Sequence, residues 1–258
     1  MLKTRVIPCL LLSDNGLVKT CRFSSPKYVG DPINAIRIFN EKEVDEIIVL
    51  DISASYKEKE PNYCLVEMFA GECFMPLCYG GGISSLDQAS KLFSLGVEKV
   101  CLQTAVLDDV SLIREIVSRY GSQSVVVSVD VKKNWLGKRC LYSAARKKTL
   151  KKSFLDYIES TIEAGAGEIL LNSVDRDGTM SGMDLEVISQ VAGEVSIPLI
   201  ASGGVGSIKD MKDAVDAGAS AIAAGAFFVF HGPHRAVLIT YPKYEELERE
   251  LGMGNNDE

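Results

Sequence analysis

The sequence predicts an α/β protein, a (β/α)8 TIM barrel, on three observations. Short β-branched runs recur about every 25 to 30 residues. Each run is followed by a stretch with the apolar spacing of an amphipathic helix. Several segments also repeat at one fixed offset. The 258 residues are enough for one such barrel, which typically needs about 250.

Eight strands can be placed along the chain. Their runs are almost continuously apolar, which is typical of parallel strands that are covered on both faces. The predicted strands are residues 6–12, 47–51, 76–79, 97–102, 125–130, 168–172, 198–202 and 219–224. The helical stretches lie between them, so each strand begins a βα unit.

The repeats indicate a duplicated half-barrel. The segment EIIVLD from residue 46 resembles EILLNS from residue 168, and PLCYGGG from residue 76 resembles PLIASGG from residue 198, an offset of 122 in both cases. A doubly wound sheet is the competing architecture, but it gives no reason for a repeat in this register. We therefore expect residues 1–258 to form one domain, with half-barrels at about 1–121 and 122–258.

The composition excludes some partners. A net charge of -7 argues against nucleic acid or an anionic membrane as the main partner, because both attract an excess of Lys and Arg. The seven cysteines form no CxxC pair, which favours a reducing compartment. The N-terminus has no membrane-spanning run or cleavage site, so we expect a cytoplasmic protein. No cofactor motif is visible, and we expect no cofactor.

Two connections are unusually long, at residues 13–31 and 131–153. Both follow the carboxyl ends of predicted strands, where the loops of this fold cover the catalytic mouth. The most basic run, residues 146–152, lies in the second of them. It fits a substrate-facing loop, a partner contact or a solvated surface.

Glycine-rich segments after several strands predict phosphate binding. In SGGVGS, from residue 202, the backbone N–H groups at a helix start can converge on an anion. Its counterpart is YGGGIS, from residue 79, and the segments after the neighbouring strands add small residues. The alternatives are tight turns only and, for the first half, a relic of duplication. The predicted contacts are Gly81, Gly82, Thr104, Gly203, Gly204, Ala224 and Gly225.

Two acidic positions and one histidine pair complete the candidates. Asp130 ends the fifth strand among apolar residues, which would raise its pKa and suit it to proton transfer; alternatively it only anchors the following loop. The segment DRDGTMSG supplies Asp177, Gly178 and Thr179 as further phosphate contacts, or forms an ordinary turn. His231 and His234 in HGPH invite a metal site, but Pro233 makes a helical pairing unfavourable and no third ligand is visible, so we expect no metal.

A family resemblance adds to these inferences. The segments RVIPCL, DEIIVLDISAS, GGGI, GSQSVVVSVDVK, GAGEILLNSVDRDGT and IASGGVG resemble the cyclase subunit of imidazole glycerol phosphate synthase, in order and spacing along nearly the whole chain. The resemblance implies a duplicated barrel that receives ammonia from a separate glutaminase subunit through its interior.

The resemblance also implies roles for particular residues. It places the substrate acid at Asp130 and a substrate-loop lysine at Lys19, and it supports phosphate contacts at Gly82, Thr104, Asp177, Gly178, Gly203 and Ala224. The charged gate of the family, at the amino-terminal end of the barrel, maps onto Arg5, Glu46, Lys99 and Glu168. From the residues alone, the same four charges could equally be a structural ring of ion pairs.

Three departures from the family pattern narrow the expected function. The second catalytic aspartate of the family corresponds to Leu11, which cannot transfer a proton. The loop YSAARKKTLKK lacks the glycine-rich character of the family, and the tail FFVFHGPHRAVLITYP replaces a short ending. These changes resemble a paralogous branch found with surface-polysaccharide genes, in which channelled ammonia converts an acetamido group of a sugar to an acetamidino group.

Three functions are therefore open. The first is an ammonia-dependent synthase subunit that aminates a phosphorylated or nucleotide-linked sugar, with a glutaminase partner. The second is a histidine-pathway cyclase that manages with one carboxylate, with Asp14 as a substitute for the missing acid. The third is a non-catalytic barrel that activates the glutaminase.

Overall fold

The barrel strands close into a complete parallel ring in the computed structural model, which describes residues 4–232 and 234–252. Each strand pairs in parallel with its two neighbours, and the eighth pairs with the first. The predicted TIM barrel is thus confirmed. In order around the ring the strands are β1 (Arg5–Ser13), β4 (Ile47–Asp51), β5 (Leu77–Gly80), β6 (Lys99–Leu102), β7 (Val125–Lys133), β10 (Glu168–Ser173), β11 (Leu199–Ser202) and β12 (Ala221–Ala224).

Helices cover the outside of the ring, and most of them begin at a side-chain cap. The residue before each of six helices accepts a hydrogen bond from a backbone N–H of the first turn, which satisfies a donor that the helix itself cannot pair. The helices are α1 (Pro32–Glu41), α2 (Tyr63–Glu72), α3 (Leu86–Ser94), α4 (Ser111–Tyr120), α5 (Phe154–Glu163), α6 (Leu185–Ala192), α7 (Ile208–Asp216), α8 (Ala226–Val229) and α9 (Tyr244–Leu251). Short 3₁₀ turns lie at Thr104–Val106 and Ser122–Ser124.

The two long connections fold as antiparallel hairpins. Strand β1 continues into β2 (Gly16–Cys21) and β3 (Ser24–Gly30), and β7 continues into β8 (Arg139–Ser143) and β9 (Lys148–Thr149). The two parent strands are each nine residues long, so they extend beyond the ring at its carboxyl end. The hairpins therefore rise from the first and fifth barrel strands and frame the mouth.

The core has two parts, because successive strand residues point to opposite faces. One part fills the space between the strands and the helices. The other fills the inside of the barrel with residues such as Ile7, Ile48, Val126, Leu170 and Ile200. Each of these five is fully buried.

The carboxyl-terminal tail packs across the outside of the first strand. The Tyr241 hydroxyl donates to the Val6 carbonyl at 2.9 Å, and its ring stacks on Phe228 at 5.1 Å. The tail also forms a small hairpin from β13 (Phe230–His231) and β14 (Ala236–Val237). Pro233, which we expected to prevent a helical pairing of His231 and His234, lies outside the described residues. Every helix in the described ranges is too short or too polar to cross a bilayer.

Candidate active site at the carboxyl end of the barrel

A large cavity of ≈ 710 Å³ opens at the carboxyl ends of the barrel strands. Its wall is built from the loops that follow the strands and from both hairpins. Among the predicted site residues, the structure brings the following to this wall: Lys19, Gly81, Gly82, Thr104, Asp130, Asp177, Gly178, Gly203, Gly204, Ala224 and Gly225.

Asp130 lies at the floor of the cavity and is 3% exposed. Its carboxylate accepts hydrogen bonds from the Gln103 amide and, at 3.4 Å, from the Ser128 hydroxyl. Burial nevertheless dominates and raises the pKa of Asp130 to about 7, because a charged carboxylate is poorly solvated there. Asp130 can therefore both hold and release a proton near neutral pH.

This raised pKa predicts a pH-dependent stability. The folded protein binds the Asp130 proton more tightly than the unfolded chain does, so the group's contribution is fully present below about pH 4 and is lost as pH rises towards 7. We expect Asp130→Asn to unfold at higher urea than the wild type at pH 8, and to lose that advantage at pH 4.5. The differential effect should be on the order of 3 kcal/mol. A difference in unfolding midpoint between variant and wild type that is the same at both pH values would contradict this expectation.

The other cavity carboxylates in the described chain are already engaged. Asp14 forms an ion pair with Lys57, which lowers the pKa of this exposed carboxyl. The Asp51 carboxylate accepts from the Ser53 backbone and hydroxyl at 2.9 and 2.8 Å, which shapes the turn after β4. Asp130 is therefore the carboxyl group best suited to proton transfer.

Asp177 accepts hydrogen bonds from the first hairpin that the sequence did not indicate. Its carboxylate accepts from the Thr20 hydroxyl at 2.8 Å and from the Phe23 backbone N–H at 3.2 Å. Burial raises its pKa. The loop after β10 is thus tied to the first hairpin, and Asp177 reaches the cavity as part of that connection.

Leu11 lies at the position that corresponds to the second acid of the resembled family. It lies on β1, lines the cavity and packs against the interior cluster of the barrel. A leucine side chain adds apolar surface and no proton-handling group. The cavity floor is therefore asymmetric, with one carboxyl group and one aliphatic wall.

Lys19 is folded into the cavity rather than extended into solvent. It lies on β2, is 6% exposed, and its Nζ donates to the Cys9 carbonyl at 2.7 Å. Burial lowers its pKa. A Cβ at Gly225 would lie 1.9 Å from this Nζ, so a side chain there would displace the lysine from its present position.

The two glycine loops approach the strand ends in equivalent ways. A Cβ at Gly81 would lie 2.3 Å from the Asp51 carbonyl, and one at Gly203 would lie 2.7 Å from the Ser173 carbonyl. Both glycines have positive φ, at 113° and 96°. Side chains are excluded at both places, so the backbone itself forms the cavity wall.

Among the residues predicted to bind substrate or phosphate, Thr179 is the one that does not line this cavity. Its hydroxyl donates to the Arg176 carbonyl at 2.7 Å and lies 2.8 Å from the Ser181 hydroxyl. The local turn satisfies the side chain, because the chain reverses at Gly178, whose φ is 67°. The tail contacts the same loop, since Arg235 donates to the Gly178 and Thr179 carbonyls at 3.2 and 2.8 Å.

The predicted gate residues form one closed ring of ion pairs at the opposite end of the barrel. Arg5 bonds to Glu46 at 2.5 Å and to Glu168 at 3.2 Å. Lys99 bonds to the same two carboxylates at 2.9 and 3.1 Å. Glu46 is the most enclosed member, with its side chain 2% exposed. Two cations and two anions thus alternate around the barrel bottom.

An apolar interior separates this ring from the mouth. Besides aliphatic side chains it contains the thiols of Cys9, Cys78 and Cys101. Burial raises the pKa of Cys9 to about 11, so this thiol is neutral near pH 7. These side chains pack against one another in one buried cluster.

Several cavity residues were not predicted. They include Arg22, Asp51, Tyr56, Lys132, Tyr142 and Lys147. Most come from the hairpins and the turn after β4, whose folding the sequence pattern did not reveal. Gln103 lies in a segment that the sequence placed near the first-half phosphate site, but its bond to Asp130 was not predicted. Lys147 lies in the basic run, which therefore includes a cavity-facing side chain. Arg146 of that run instead pairs with Asp108. No group of three or more potential metal ligands was found in the described part of the chain.

Comparison with known proteins places the chain in a family. A family model described as "Histidine biosynthesis protein" matches residues 5–233. A Pseudomonas aeruginosa protein named "Putative imidazole glycerol phosphate synthase subunit hisF2" is 57% identical over 249 residues, which cover 96% of this chain and 99% of that protein. The chain belongs to the HisF family of histidine biosynthesis proteins.

Two other HisF-family relatives match nearly the whole chain. A Vibrio vulnificus protein, "Putative imidazole glycerol phosphate synthase subunit hisF3", is 46% identical and covers 98% of each chain. The Streptococcus sanguinis "Imidazole glycerol phosphate synthase subunit HisF" is 37% identical, covering 88% of this chain and 91% of that protein. The protein is thus an enzyme subunit of the HisF cyclase type.

Proposed function

We propose that this chain is the ammonia-using synthase subunit of a glutamine amidotransferase, and that it converts an acetamido group to an acetamidino group on a phosphorylated or nucleotide-linked sugar. The observation that carries the proposal is that the cavity is lined by Asp130, with a pKa of about 7, and by the aliphatic Leu11 at the position of the family's second acid. An imidazole ring closure that uses two carboxyl groups lacks one of them here.

The proposed reaction needs only one proton-handling group. Ammonia adds to the carbonyl carbon of the acetamido group, a C–N bond forms, and the carbonyl oxygen leaves as water. Water formation needs two protons, and both come in net from the added nitrogen. Asp130 gives its proton to the carbonyl oxygen as ammonia adds and takes one back from that nitrogen. It then gives this proton to the hydroxyl, which leaves as water, and takes a second proton from the nitrogen. Leu11 would pack against the acetamido methyl group. We propose that the glycine loops and Lys19 hold the phosphate portion of the substrate, and that Thr179 contributes through the turn that it stabilises.

We propose that ammonia comes from a glutaminase subunit docked at the barrel bottom. The ring of Arg5, Glu46, Lys99 and Glu168 closes that end, so the ring would have to open for nitrogen to enter. Beyond it the interior is apolar, which favours neutral ammonia over the ammonium ion. The named relatives are each a "subunit", which supports assembly with a second chain.

The seven free cysteines support a cytoplasmic location.

Amination of an acetamido sugar tests the proposal. The protein, purified with its glutaminase and supplied with glutamine labelled with ¹⁵N in the side-chain amide, should transfer the label to an acetamido sugar phosphate or sugar nucleotide and give an amidine detectable by NMR. The histidine-pathway substrate serves as the comparison. Strong ring closure on that substrate, without amidine formation, would refute the proposal.

A histidine-pathway cyclase is the second candidate, favoured by the family match and by Asp14 at the cavity wall. The ion pair of Asp14 with Lys57 counts against it, because a lowered pKa makes a poor proton donor. Complementation of a cyclase-deficient auxotroph separates the two functions. We expect growth only with Leu11→Asp, and growth with the wild-type chain would support the cyclase.

We also propose that residues 1–258 form one domain that arose by duplication. The hairpins after β1 and β7 and the matching approaches of Gly81 and Gly203 support it, because each pair lies at corresponding places in the two halves.

A further inference from the structure

The outer part of the cavity carries cationic side chains without anionic partners. Arg22, Lys132 and Lys147 all line the wall, and none of them forms an ion pair with another described residue. The remaining two cations are engaged, since Lys57 pairs with Asp14 and Lys19 donates to a backbone carbonyl. Three positive charges are therefore available to a ligand.

Aromatic rings lie directly beside two of these cations. The Lys147 ammonium lies 4.5 Å from the ring centroid of Tyr56, and the Lys132 ammonium lies 4.9 Å from that of Tyr142. The Tyr142 ring in turn packs at 6.4 Å from Phe23 of the first hairpin. These contacts join both hairpins and the turn after β4 around the opening.

Only one of the two tyrosine rings has a face open to a ligand. Tyr56 is 58% exposed, whereas Tyr142 is 8% exposed and serves as a support for Lys132. Cations next to one open aromatic face match a ligand with clustered negative charge and a planar ring. Stacking on such a face stabilises a nucleobase, and ammonium and guanidinium groups bind phosphate oxygens.

We propose that this rim, defined as Arg22, Tyr56, Lys132, Tyr142 and Lys147, binds the nucleoside diphosphate of a nucleotide-linked sugar. The diphosphate contacts Arg22, Lys132 and Lys147, and the base stacks on Tyr56. The glycine loops and Lys19 remain the site for inorganic phosphate or for the phosphate of a sugar monophosphate. The sugar then extends inward to Asp130. The identity of the sugar part rests on the proposed function, whereas nucleoside diphosphate binding by the rim does not.

Calorimetric titration of the full chain with uridine diphosphate tests the rim. Tyr56→Leu removes the stacking face and should raise the Kd roughly 5- to 100-fold. Lys147→Met should also raise the Kd and weaken its dependence on NaCl. The matched controls are Tyr28→Leu and Lys148→Met, which change exposed residues outside the cavity wall and should bind like the wild type.

Further ligands distinguish recognition of the base from recognition of the phosphates. Guanosine diphosphate should bind comparably, while inorganic pyrophosphate and geranyl diphosphate should bind more weakly and be indifferent to Tyr56→Leu. Binding of inorganic phosphate should be unchanged in both rim variants, which verifies that they are folded. Geranyl diphosphate binding as tightly as uridine diphosphate, or rim variants that bind uridine diphosphate like the wild type, would overturn the proposal.

The two proposals fail separately. Suppose that the rim variants weaken uridine diphosphate binding but that the protein transfers no nitrogen to any acetamido sugar. The rim proposal then stands and the proposed function falls. Suppose instead that only a sugar monophosphate accepts nitrogen and that the rim variants do not slow this transfer. The proposed function then stands and the rim proposal falls.

Discussion

Asp130→Asn is expected to lower kcat about 10²- to 10⁴-fold, the usual contribution of a general acid or base. Asparagine has nearly the same shape, but its amide can neither give nor take the proton that Asp130 manages with a pKa of about 7. The KM should change little, because the glycine loops remain. Steady-state kinetics with saturating ammonium salt measures the chemical step without the glutaminase.

Asp14→Asn is the informative comparison. Asp14 also lines the cavity, but it is exposed and paired with Lys57, so we expect its loss to change kcat much less than that of Asp130. Equal losses in the two variants would assign Asp14 the second acid role and support the cyclase alternative. A barrel that only activates the glutaminase would lose nothing on either change.

Glu46→Gln is expected to reduce the free energy of unfolding by about 3 kcal/mol, because removing one partner of a buried ion pair leaves the others uncompensated. Glu46 bonds to both Arg5 and Lys99, and its side chain is 2% exposed. The variant would leave two cations to share Glu168. Urea denaturation at pH 7 measures the loss.

Glu72→Gln is the matched control. Its carboxylate pairs with Arg37 on the surface, with side-chain exposures of 36% and 58%, so the loss should be much smaller than that of Glu46→Gln. Similar losses in both variants would show that the ring is no more important than a surface pair. If the ring also gates nitrogen entry, Glu46→Gln should change the glutamine-dependent rate more than the ammonium-dependent rate.

Periodic features of the sequence predicted the fold well. The strands were recognisable because both of their faces are buried, and the bounds of Ile47–Asp51 were found without error. The hairpins after β1 and β7 were missed as structure. Parts of β2 and β8 are buried, but they include polar residues such as Lys19 and Ser143, so the sequence does not show the apolar run of a covered strand. The engagement of Asp177 by Thr20 and Phe23 could not be predicted, because these contacts span more than 150 residues.

The sequence by itself determined the (β/α)8 barrel, the glycine loops at the strand ends and the acid on the fifth strand, because burial and backbone geometry leave local patterns. Only the tertiary structure decided that the burial of Asp130 outweighs its hydrogen bonds, that Lys19 docks beside Gly225, and that three unpaired cations and an open tyrosine share one rim. Those properties depend on distances and solvent access between segments far apart in the chain, which no local pattern records.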